Sequence, residues 1–356
     1  MKTQIVLIIL AECVILICHF LLKIYVLISR GWLNNVLFSF FFFLLLAGLS
    51  PLPVESAEIS YPERPINLIV PYPPGGSSDL GTRLVADKIQ EILGKPIISV
   101  HKPGGGGSLG AAFAAKAKPD GYTILFGPTT PVILSPIVKK LDYTLDDFIP
   151  TGMYGKLPFW LAVKPEARWK TLKEFVEEAK KSPGKLMVGT YGKLTAADFL
   201  IELLNKHAGI KLTNVPFKSS LESLTAVIGG KIDSAMAAGG ASFVMSGQVR
   251  LLATAEERRL EDLPDVPTFK ELGYPLLITG RNSLWFPKGT PKEIVDKFAK
   301  AQETAFTRYP KEIKDGLRKI EMYAEYLSPE DTMREFKKEY DLLYRIAEEL
   351  GVVAKE

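Results

Sequence analysis

The residues best suited to chemistry lie in a turn rich in proline, glycine and hydroxyl groups, Pro73 to Asp79. An apolar run before it, Ile66 to Val70, predicts a buried strand, and apolar residues at helical spacing follow it. Ser77, Ser78 and Asp79 are all favourable helix N-caps. Such a turn directs free backbone N–H groups and the positive end of a helix dipole at one point, which suits an anion. A tight strand-to-helix connection without a ligand would have the same composition.

Three more predicted strands end in turns that are rich in glycine or hydroxyl groups, at 103–108, 127–131 and 189–195. In open α/β sheets, ligands bind outside the carboxyl ends of the strands. Neutral donors at these ends, with few Lys or Arg residues among them, suit an anion that is held by N–H and O–H groups. Ordinary connections explain each turn separately, but they explain the four together less well.

One of these turns also matches a dinucleotide-binding pattern. Gly105 to Gly110 reads G-x-G-x-x-G after a predicted strand and before a predicted helix. That pattern expects an acidic residue about twenty positions on, at the end of the next strand, where it holds the ribose. The next strand here ends in Phe126 to Thr130 without a carboxylate, and Asp120 lies before the strand. An NAD(P)-dependent oxidoreductase is therefore the lesser alternative.

Cysteine and histidine are scarce after the N-terminal region. Cys13 and Cys18 both lie in an apolar N-terminal stretch, and only His101 and His207 supply imidazoles after it. Neither histidine belongs to an H-E-x-x-H pattern, and the chain has neither a G-x-x-x-x-G-K-[ST] phosphate loop nor a G-x-S-x-G nucleophile turn. The sequence therefore predicts no catalytic residue, no metal site and no cofactor.

The charge pattern argues against a nucleic-acid partner. The net charge is +4 over 356 residues, and basic residues alternate with acidic ones after residue 57. A nucleic-acid surface would instead need a stripe of Lys and Arg. A chain of this length is expected to fold as one large or two modest domains.

The N-terminal segment, 1–57, has the character of an export signal or a membrane anchor. Ile5 to Ile28 is long and apolar enough to span a bilayer. From Arg30 onward, a basic start, an apolar run and small residues near Ser56 and Ala57 resemble a secretory signal. Export with cleavage near Ser56 or Ala57 is favoured over a retained anchor. Either outcome places the rest of the chain outside the cytoplasmic membrane.

The elements that position these turns alternate between short apolar runs and helical segments, which is typical of α/β folds. A capping box at Thr171 to Glu174 predicts the start of one helix. Helical segments dominate the chain from Pro291 to Leu350. The predicted strands are Ile66 to Val70, Pro96 to Val100, Tyr122 to Phe126, Phe159 to Val163, Lys185 to Gly189, Thr213 to Phe217, Ile232 to Met236 and Val249 to Thr254.

Seven motifs in a fixed order resemble the tripartite tricarboxylate transporter substrate-binding (Bug) family over about residues 61–350. They are Tyr61-Pro62-x-Arg64-Pro65-Ile66, Val70-Pro71-Tyr72-Pro73-Pro74-Gly75-Gly76-x-x-Asp79, Pro103-Gly104-x-Gly106-Gly107-x-x-Gly110-Ala111, Pro119-Asp120-Gly121-Tyr122-Thr123, Ser182-Pro183-Gly184-Lys185-Leu186, Leu263-Pro264-Asp265-Val266-Pro267-Thr268 and Gly289-Thr290-Pro291. A series of motifs is far more specific than any single glycine pattern.

The resemblance implies an α/β, two-lobed periplasmic-binding-protein (type II-like) fold with two crossover strands and a cleft between the lobes. Lobe one would hold 61–160 and 280–356, and lobe two 161–279, with crossovers near Phe159 to Val163 and Leu276 to Phe286. Such a protein would be a monomer that delivers a small organic carboxylate to a membrane permease with one large and one small subunit. A ligand-presenting sensory or adaptor role is the alternative.

The family's ligand contacts map onto three turns of this chain, and one arginine is added here as a hypothesis. Arg281 would anchor a second carboxylate, because it replaces an aromatic position next to a predicted crossover; a surface or interdomain arginine is the alternative. Departures from the family pattern at Tyr191, Lys193, Leu194 and the Ala237-Ala238 pair leave the identity of the ligand open. The predicted ligand-binding residues are Pro74, Gly75, Gly76, Ser77, Ser78, Asp79, Thr129, Thr130, Thr190, Tyr191, Thr195 and Arg281.

Overall fold

The computed structural model describes Cys18 and residues 60–354. Apart from Cys18, which is helical and exposed, the predicted signal or anchor segment at 1–57 lies outside the described residues. Within the described part of the chain, no helix combines the length and apolar character that crossing a membrane requires.

Eleven strands and ten α-helices build the described part of the chain. The strands are β1 (Ile66–Val70), β2 (Ile97–His101), β3 (Thr123–Phe126), β4 (Phe148–Leu157), β5 (Phe159–Val163), β6 (Met187–Thr190), β7 (Thr213–Pro216), β8 (Ser234–Ala238), β9 (Arg250–Thr254), β10 (Gly280–Pro287) and β11 (Tyr323–Leu327). The helices are α1 (Ser77–Leu93), α2 (Ser108–Ala115), α3 (Ser135–Val138), α4 (Leu172–Lys181), α5 (Ala196–Ala208), α6 (Ser220–Ile228), α7 (Ala241–Met245), α8 (Lys292–Arg308), α9 (Pro310–Arg318) and α10 (Pro329–Leu350). Short helical turns lie at Gly105–Gly107, Thr130–Leu134 and Leu145–Asp147.

The first sheet has six strands in the order β11-β4-β10-β3-β1-β2. β1 lies between β2 and β3 and is parallel to both, whereas β10 runs antiparallel to β3 and β4. Within β1 only Asn67 is exposed, because helices cover both faces of the sheet, as is usual for parallel strands. α1 buries Val85, Ala86 and Ile89 and packs against α8.

The second sheet has five strands in the order β7-β6-β8-β5-β9. β6 is parallel to its neighbours β7 and β8, and β5 runs antiparallel to β8 and β9. The predicted capping box forms at the start of α4, where the Thr171 hydroxyl accepts the Glu174 N–H and the Glu174 carboxylate accepts the Thr171 N–H. α5 begins at Thr195, whose hydroxyl accepts the Asp198 N–H.

The chain passes from the first sheet to the second at Pro158 and returns in the segment 255–279. The first sheet therefore takes its strands from 66–157 and 280–327, and the second from 159–254. The predicted lobe boundaries, 61–160 with 280–356 and 161–279, stay a prediction.

The parallel strands place several turns at the same edges. β1 and β3 are adjacent and parallel, so the turns that begin at Pro71 and Gly127 leave one edge of the first sheet. β6, β7 and β8 do the same in the second sheet, with turns that begin at Tyr191, Phe217 and Gly239. This arrangement gathers turns from distant parts of the chain at the carboxyl ends of two sheets, where ligands bind in α/β folds.

Candidate ligand-binding site

A cavity of about 250 Å³ lies between turns of the first sheet and turns of the second. Its first wall consists of the turn after β1, the turn after β3 and the start of β10. Its second wall consists of residues after β6, β7 and β8, and the residues after α9 form part of the rim. Among the residues that line it, only Asp79 and Lys319 carry a charge.

Asp79 organises the first turn. Its side chain is fully buried, and its Oδ2 accepts a hydrogen bond of 2.9 Å from the Gly75 N–H. Its Oδ1 lies 2.8 Å from Nε2 of His101 at the end of β2, and the half-exposed Arg83 lies 3.5 Å from Oδ2. Since these partners already use both oxygens, Asp79 shapes the turn and does not itself supply a donor to a ligand.

The first turn of α1 supplies the donors. α1 follows the extended Gly76, and no side chain caps it. Ser77 and Ser78, the first two residues of α1, line the cavity. Helix N-terminal N–H groups and the helix dipole stabilise a negative charge in such a position. The first turn of α1 therefore lies where the sequence places it, and its predicted role in holding an anion stays a prediction.

The turn after β3 joins the two walls. The Thr130 hydroxyl lies 2.8 Å from the Tyr191 hydroxyl and also accepts a hydrogen bond of 3.4 Å from the Ala196 N–H. Tyr191 lies in edge-to-face contact with Tyr72 and stacks on Phe159, with ring centroids 6.2 Å apart in both pairs. Aromatic rings and hydroxyls therefore meet where the two walls approach.

Nine of the twelve predicted ligand-binding residues line this cavity. They are Pro74, Gly75, Gly76, Ser77, Ser78, Asp79, Thr129, Thr130 and Tyr191.

Thr190 and Thr195 do not line the cavity but support the turn that does. The buried Thr190 hydroxyl donates to the Asn214 side-chain oxygen at 2.9 Å and to the Gly192 carbonyl at 3.1 Å. The Thr195 hydroxyl donates to the same Gly192 carbonyl at 2.8 Å. Both residues therefore hold the backbone from which Tyr191 projects.

Arg281 also lies outside the cavity lining, although its neighbours Gly280 and Asn282 belong to it. Its guanidinium is 3.1 Å from Oε1 of Glu339 on α10, and its backbone N–H donates to the Thr129 hydroxyl at 3.2 Å. Arg281 is therefore half of an internal ion pair, and the guanidinium is engaged by Glu339 at this position.

Glu339, which contacts the lining residue Thr129, has a raised pKa. It is 5% exposed at the side chain, and its burial raises the pKa to about 7, although Arg281 and the Thr129 hydroxyl act in the opposite direction. The Thr129 hydroxyl donates to Oε2 of Glu339 at 3.2 Å and to the Thr279 carbonyl at 3.4 Å. Burial likewise raises the pKa of Glu256, which accepts the Thr279 hydroxyl at 2.8 Å. Two protonatable acids thus lie behind the cavity wall.

The sequence reasoning missed the second-wall residues Ser219, Ser220 and Leu221, and Lys319 at the rim. Ser219 caps α6 by accepting the Glu222 N–H, and the Ser220 hydroxyl accepts the Ala238 N–H at 3.3 Å. The strand-end rule could have found the two serines, because they follow the predicted strand Thr213 to Phe217. Lys319 follows α9, so no strand-end rule could have found it.

The chemistry available here is binding. In the described part of the chain, no group of three or more His, Cys, Asp and Glu residues could hold a metal ion. The buried carboxylate that lines the cavity is already engaged by hydrogen-bond partners. The other lining side chains are hydroxyls, one amide, aromatic rings and aliphatic groups, with the Lys319 ammonium at the rim. Such a set can hold and orient a small anion.

A family model described as the tripartite tricarboxylate transporter family receptor, TctC, matches residues 82–352. The chain belongs to this family. BugT of Bordetella pertussis is similar to it, with 33% identity over 71% of this chain and 78% of BugT. The resemblance that the seven motifs predict is thereby confirmed.

Solved structures of TctC-type proteins share the fold. MatC from Rhodopseudomonas palustris with bound malate superposes with a TM-score of 0.75 at 26% identity, covering 80% of this chain and 99% of MatC. An R. palustris protein solved with adipate superposes with a TM-score of 0.76 at 25% identity, covering 82% of this chain and 99% of its own. The predicted two-lobed periplasmic-binding fold is confirmed.

Proposed function

We propose that this receptor captures a small organic carboxylate between its two lobes outside the cytoplasmic membrane and delivers it to a permease with one large and one small subunit. The carboxylate would lie against the first turn of α1. One observation carries the proposal: the Asp79 carboxylate is engaged in shaping the turn, while Ser77 and Ser78, at a helix start that no side chain caps, line the cavity.

The relatives support a carboxylate over other anions. MatC is described with malate and the second R. palustris protein with adipate, and both ligands are small organic acids. The family is one of transport receptors, which supports a binding role without catalysis and an extracytoplasmic location. The neutral donors of the α1 turn suit a carboxylate, since backbone N–H groups bind such an anion without a cationic side chain.

Binding would couple to closure of the lobes, for which we retain the predicted ranges 61–160 with 280–356, and 161–279. The two walls already touch in this structure, because the Thr130 hydroxyl of the first wall contacts the Tyr191 hydroxyl of the second. A ligand that touches both walls binds the closed form better than the open form, and it shifts the equilibrium by that difference in affinity.

A thermal-shift screen tests ligand capture. Dicarboxylates, tricarboxylates, aromatic acids and amino acids should be compared with their uncharged amides at equal concentration. A cognate acid at a hundred times its dissociation constant should stabilise the fold by about 2.7 kcal/mol, whereas the amide should not. If no carboxylate raises the melting temperature, the proposal is wrong. A stabilisation by NAD or NADP would instead favour an oxidoreductase.

Delivery needs its own experiment. Membrane vesicles that hold a two-subunit permease should take up the labelled acid only when the receptor is added in its liganded form. Ligand binding that never supports uptake would leave the receptor as a sensory or adaptor protein. Sedimentation of the purified receptor would test the expectation of a monomer.

A further inference from the structure

Tyr191 occupies the second wall of the cavity with both its ring and its hydroxyl. The ring lies between Tyr72 of the first wall and Phe159 of β5, and the interplanar angle with Phe159 is 16°. The hydroxyl reaches the Thr130 hydroxyl at 2.8 Å. Since Thr130 and Tyr191 both line the cavity, this pair closes the space between the walls.

The same hydroxyl pair covers the start of α5. The Thr130 hydroxyl accepts the Ala196 N–H at 3.4 Å. Burial raises the pKa of Tyr191 to about 12, although the Thr130 and Thr195 hydroxyls and the N–H groups of Ala196 and Ala197 act in the opposite direction. The phenol is therefore neutral at physiological pH, and neutral oxygens already engage the positive end of α5.

Among the described residues that line the cavity, the exposed Lys319 at the rim is the only cationic one. Two nearby cations outside the lining are already engaged: the Arg281 guanidinium is paired with Glu339, and the Lys139 ammonium near Thr130 donates to the Gly105 carbonyl at 2.8 Å. A second carboxylate at the far end of a ligand would therefore lie against aromatic rings and neutral hydroxyls. Burying an ionised carboxylate without a partner is costly, whereas an apolar group is favoured in the same place.

We propose that Tyr191 makes this receptor selective for acids with a single carboxylate, whose uncharged far end packs against the rings of Tyr191 and Phe159. The inference rests on the proposed function of the cavity, because the one carboxylate is the group that the α1 turn holds. It names the class of acid within that function.

The start of α6 also contributes to the choice of the far end of the acid. The Ser220 hydroxyl accepts the Ala238 N–H at 3.3 Å and keeps its own proton for a further acceptor. Ser219 and Leu221 lie beside it in the lining. A far end that is aliphatic, aromatic or carries a carbonyl or hydroxyl group fits these neighbours.

Matched pairs of acids with the same carbon skeleton test the inference by calorimetry at pH 7.5. The pairs are butanoate with succinate, hexanoate with adipate, and 4-methylbenzoate with benzene-1,4-dicarboxylate. The monocarboxylate of the pair that binds should have a dissociation constant about tenfold or more lower than that of its dicarboxylate.

The variant Tyr191→Ser removes the ring and opens the start of α5, and it should reduce this preference by about tenfold or reverse it. Tyr344→Ser, with the same substitution on α10 outside the cavity lining, is the matched control and should keep the preference. Circular dichroism would show whether each variant is folded. If Tyr191→Ser does not fold, the acid pairs on the unmodified receptor still test whether it prefers acids with a single carboxylate.

The outcomes separate the two proposals. Tighter binding of the dicarboxylate by the unmodified receptor, or an unchanged preference in folded Tyr191→Ser, would overturn the role of Tyr191 and leave the proposed function standing. If neither member of any pair binds, and the broader screen also finds no acid, the proposed function itself fails.

Discussion

The substitution Asp79→Asn probes the claim that the α1 turn is pre-shaped for an anion. Asparagine has the same shape as aspartate but lacks its charge. It can accept the Gly75 N–H with its oxygen and donate to His101 Nε2 with its amide, so both contacts survive as neutral hydrogen bonds. The ion pair with the half-exposed Arg83 is lost.

The structure sets the size of the effect. A hydrogen bond to a charged group contributes about 1.5–3 kcal/mol, compared with about 1 kcal/mol for a neutral one. An ion pair with an exposed arginine adds only about 0–1 kcal/mol. Asp79→Asn should therefore lower the free energy of unfolding by about 1–3 kcal/mol, which is on the order of 2–10 °C in melting temperature for a chain of this size.

Binding should weaken as well, because a weaker hydrogen bond between the Gly75 N–H and residue 79 would fix the turn less firmly. If one backbone N–H of the loosened turn no longer reaches the carboxylate of the ligand, the dissociation constant of the cognate acid rises by about tenfold. Calorimetry and thermal melts on the same samples would measure both effects.

Asp120→Asn is the matched control for this substitution. Asp120 also accepts a backbone N–H, from Tyr122, and pairs with an arginine, but it lies before β3, at the opposite end of the strand from the cavity. Asp120→Asn should therefore leave the affinity for the acid unchanged. Removing the negative charge of Asp79 also reduces its repulsion of a bound carboxylate. Equal or tighter binding by Asp79→Asn would therefore refute the reasoning, because repulsion would then outweigh the ordering of the turn.

Two further substitutions test the surroundings of the cavity. The raised pKa of Glu339 means that its contribution to stability is present below about pH 4.5 and is lost as the pH rises through about 7. From pH 5 to pH 8 the free energy of unfolding should therefore fall less in Glu339→Gln than in the unmodified protein, by up to about 3 kcal/mol. Thermal melts at the two pH values measure this, and an equal fall in both proteins would contradict the raised pKa of Glu339. In Gly239→Ala the new methyl carbon would overlap Oγ of Ser77, so the turn after β8 and the α1 turn would have to separate, and the acid should bind about tenfold or more weakly. Gly209→Ala shares a positive φ but has open space around it, and it should change stability without changing affinity.

The β1 turn was predictable because local chemistry determines it. Two prolines, two glycines and three N-capping residues in a row leave the chain few alternatives between an apolar strand and an amphipathic helix. The structure places that strand at Ile66–Val70, as the sequence predicts, and begins α1 at Ser77. The donors of the first wall follow from this local pattern.

β4 and β11 were not predicted, for a reason that involves distant residues. β4 contains Pro150, Gly152 and Gly155, which argue against a strand when the sequence is read locally. In the fold, a Cβ on Gly152 would lie 2.9 Å from the Leu327 carbonyl oxygen, and one on Gly155 would lie 2.9 Å from the Tyr323 carbonyl oxygen. The glycines allow β11 to pair closely with β4. Because β11 lies far along the chain, nothing in the sequence around β4 indicates this pairing.

The second wall shows the same limit. Tyr191 was a predicted site residue, but its contact with Thr130 depends on how two sheets meet. Likewise, the residue type of Arg281 suggested an anion ligand, while the fold supplied Glu339 as its partner. Sequence patterns therefore identified the turns and the candidate groups, and the tertiary fold decided which of these groups line the cavity.

Two close approaches at glycines, between turns of the first sheet and turns of the second, have a consequence for the evolution of this receptor. A side chain on Gly106 would meet Thr195, as one on Gly239 would meet Ser77. A single added methyl group at either position would act as a wedge that holds the walls apart, without altering any donor that recognises the acid. A substitution at either glycine would therefore change how closely the walls approach, and with it the affinity, separately from the side chains that line the cavity.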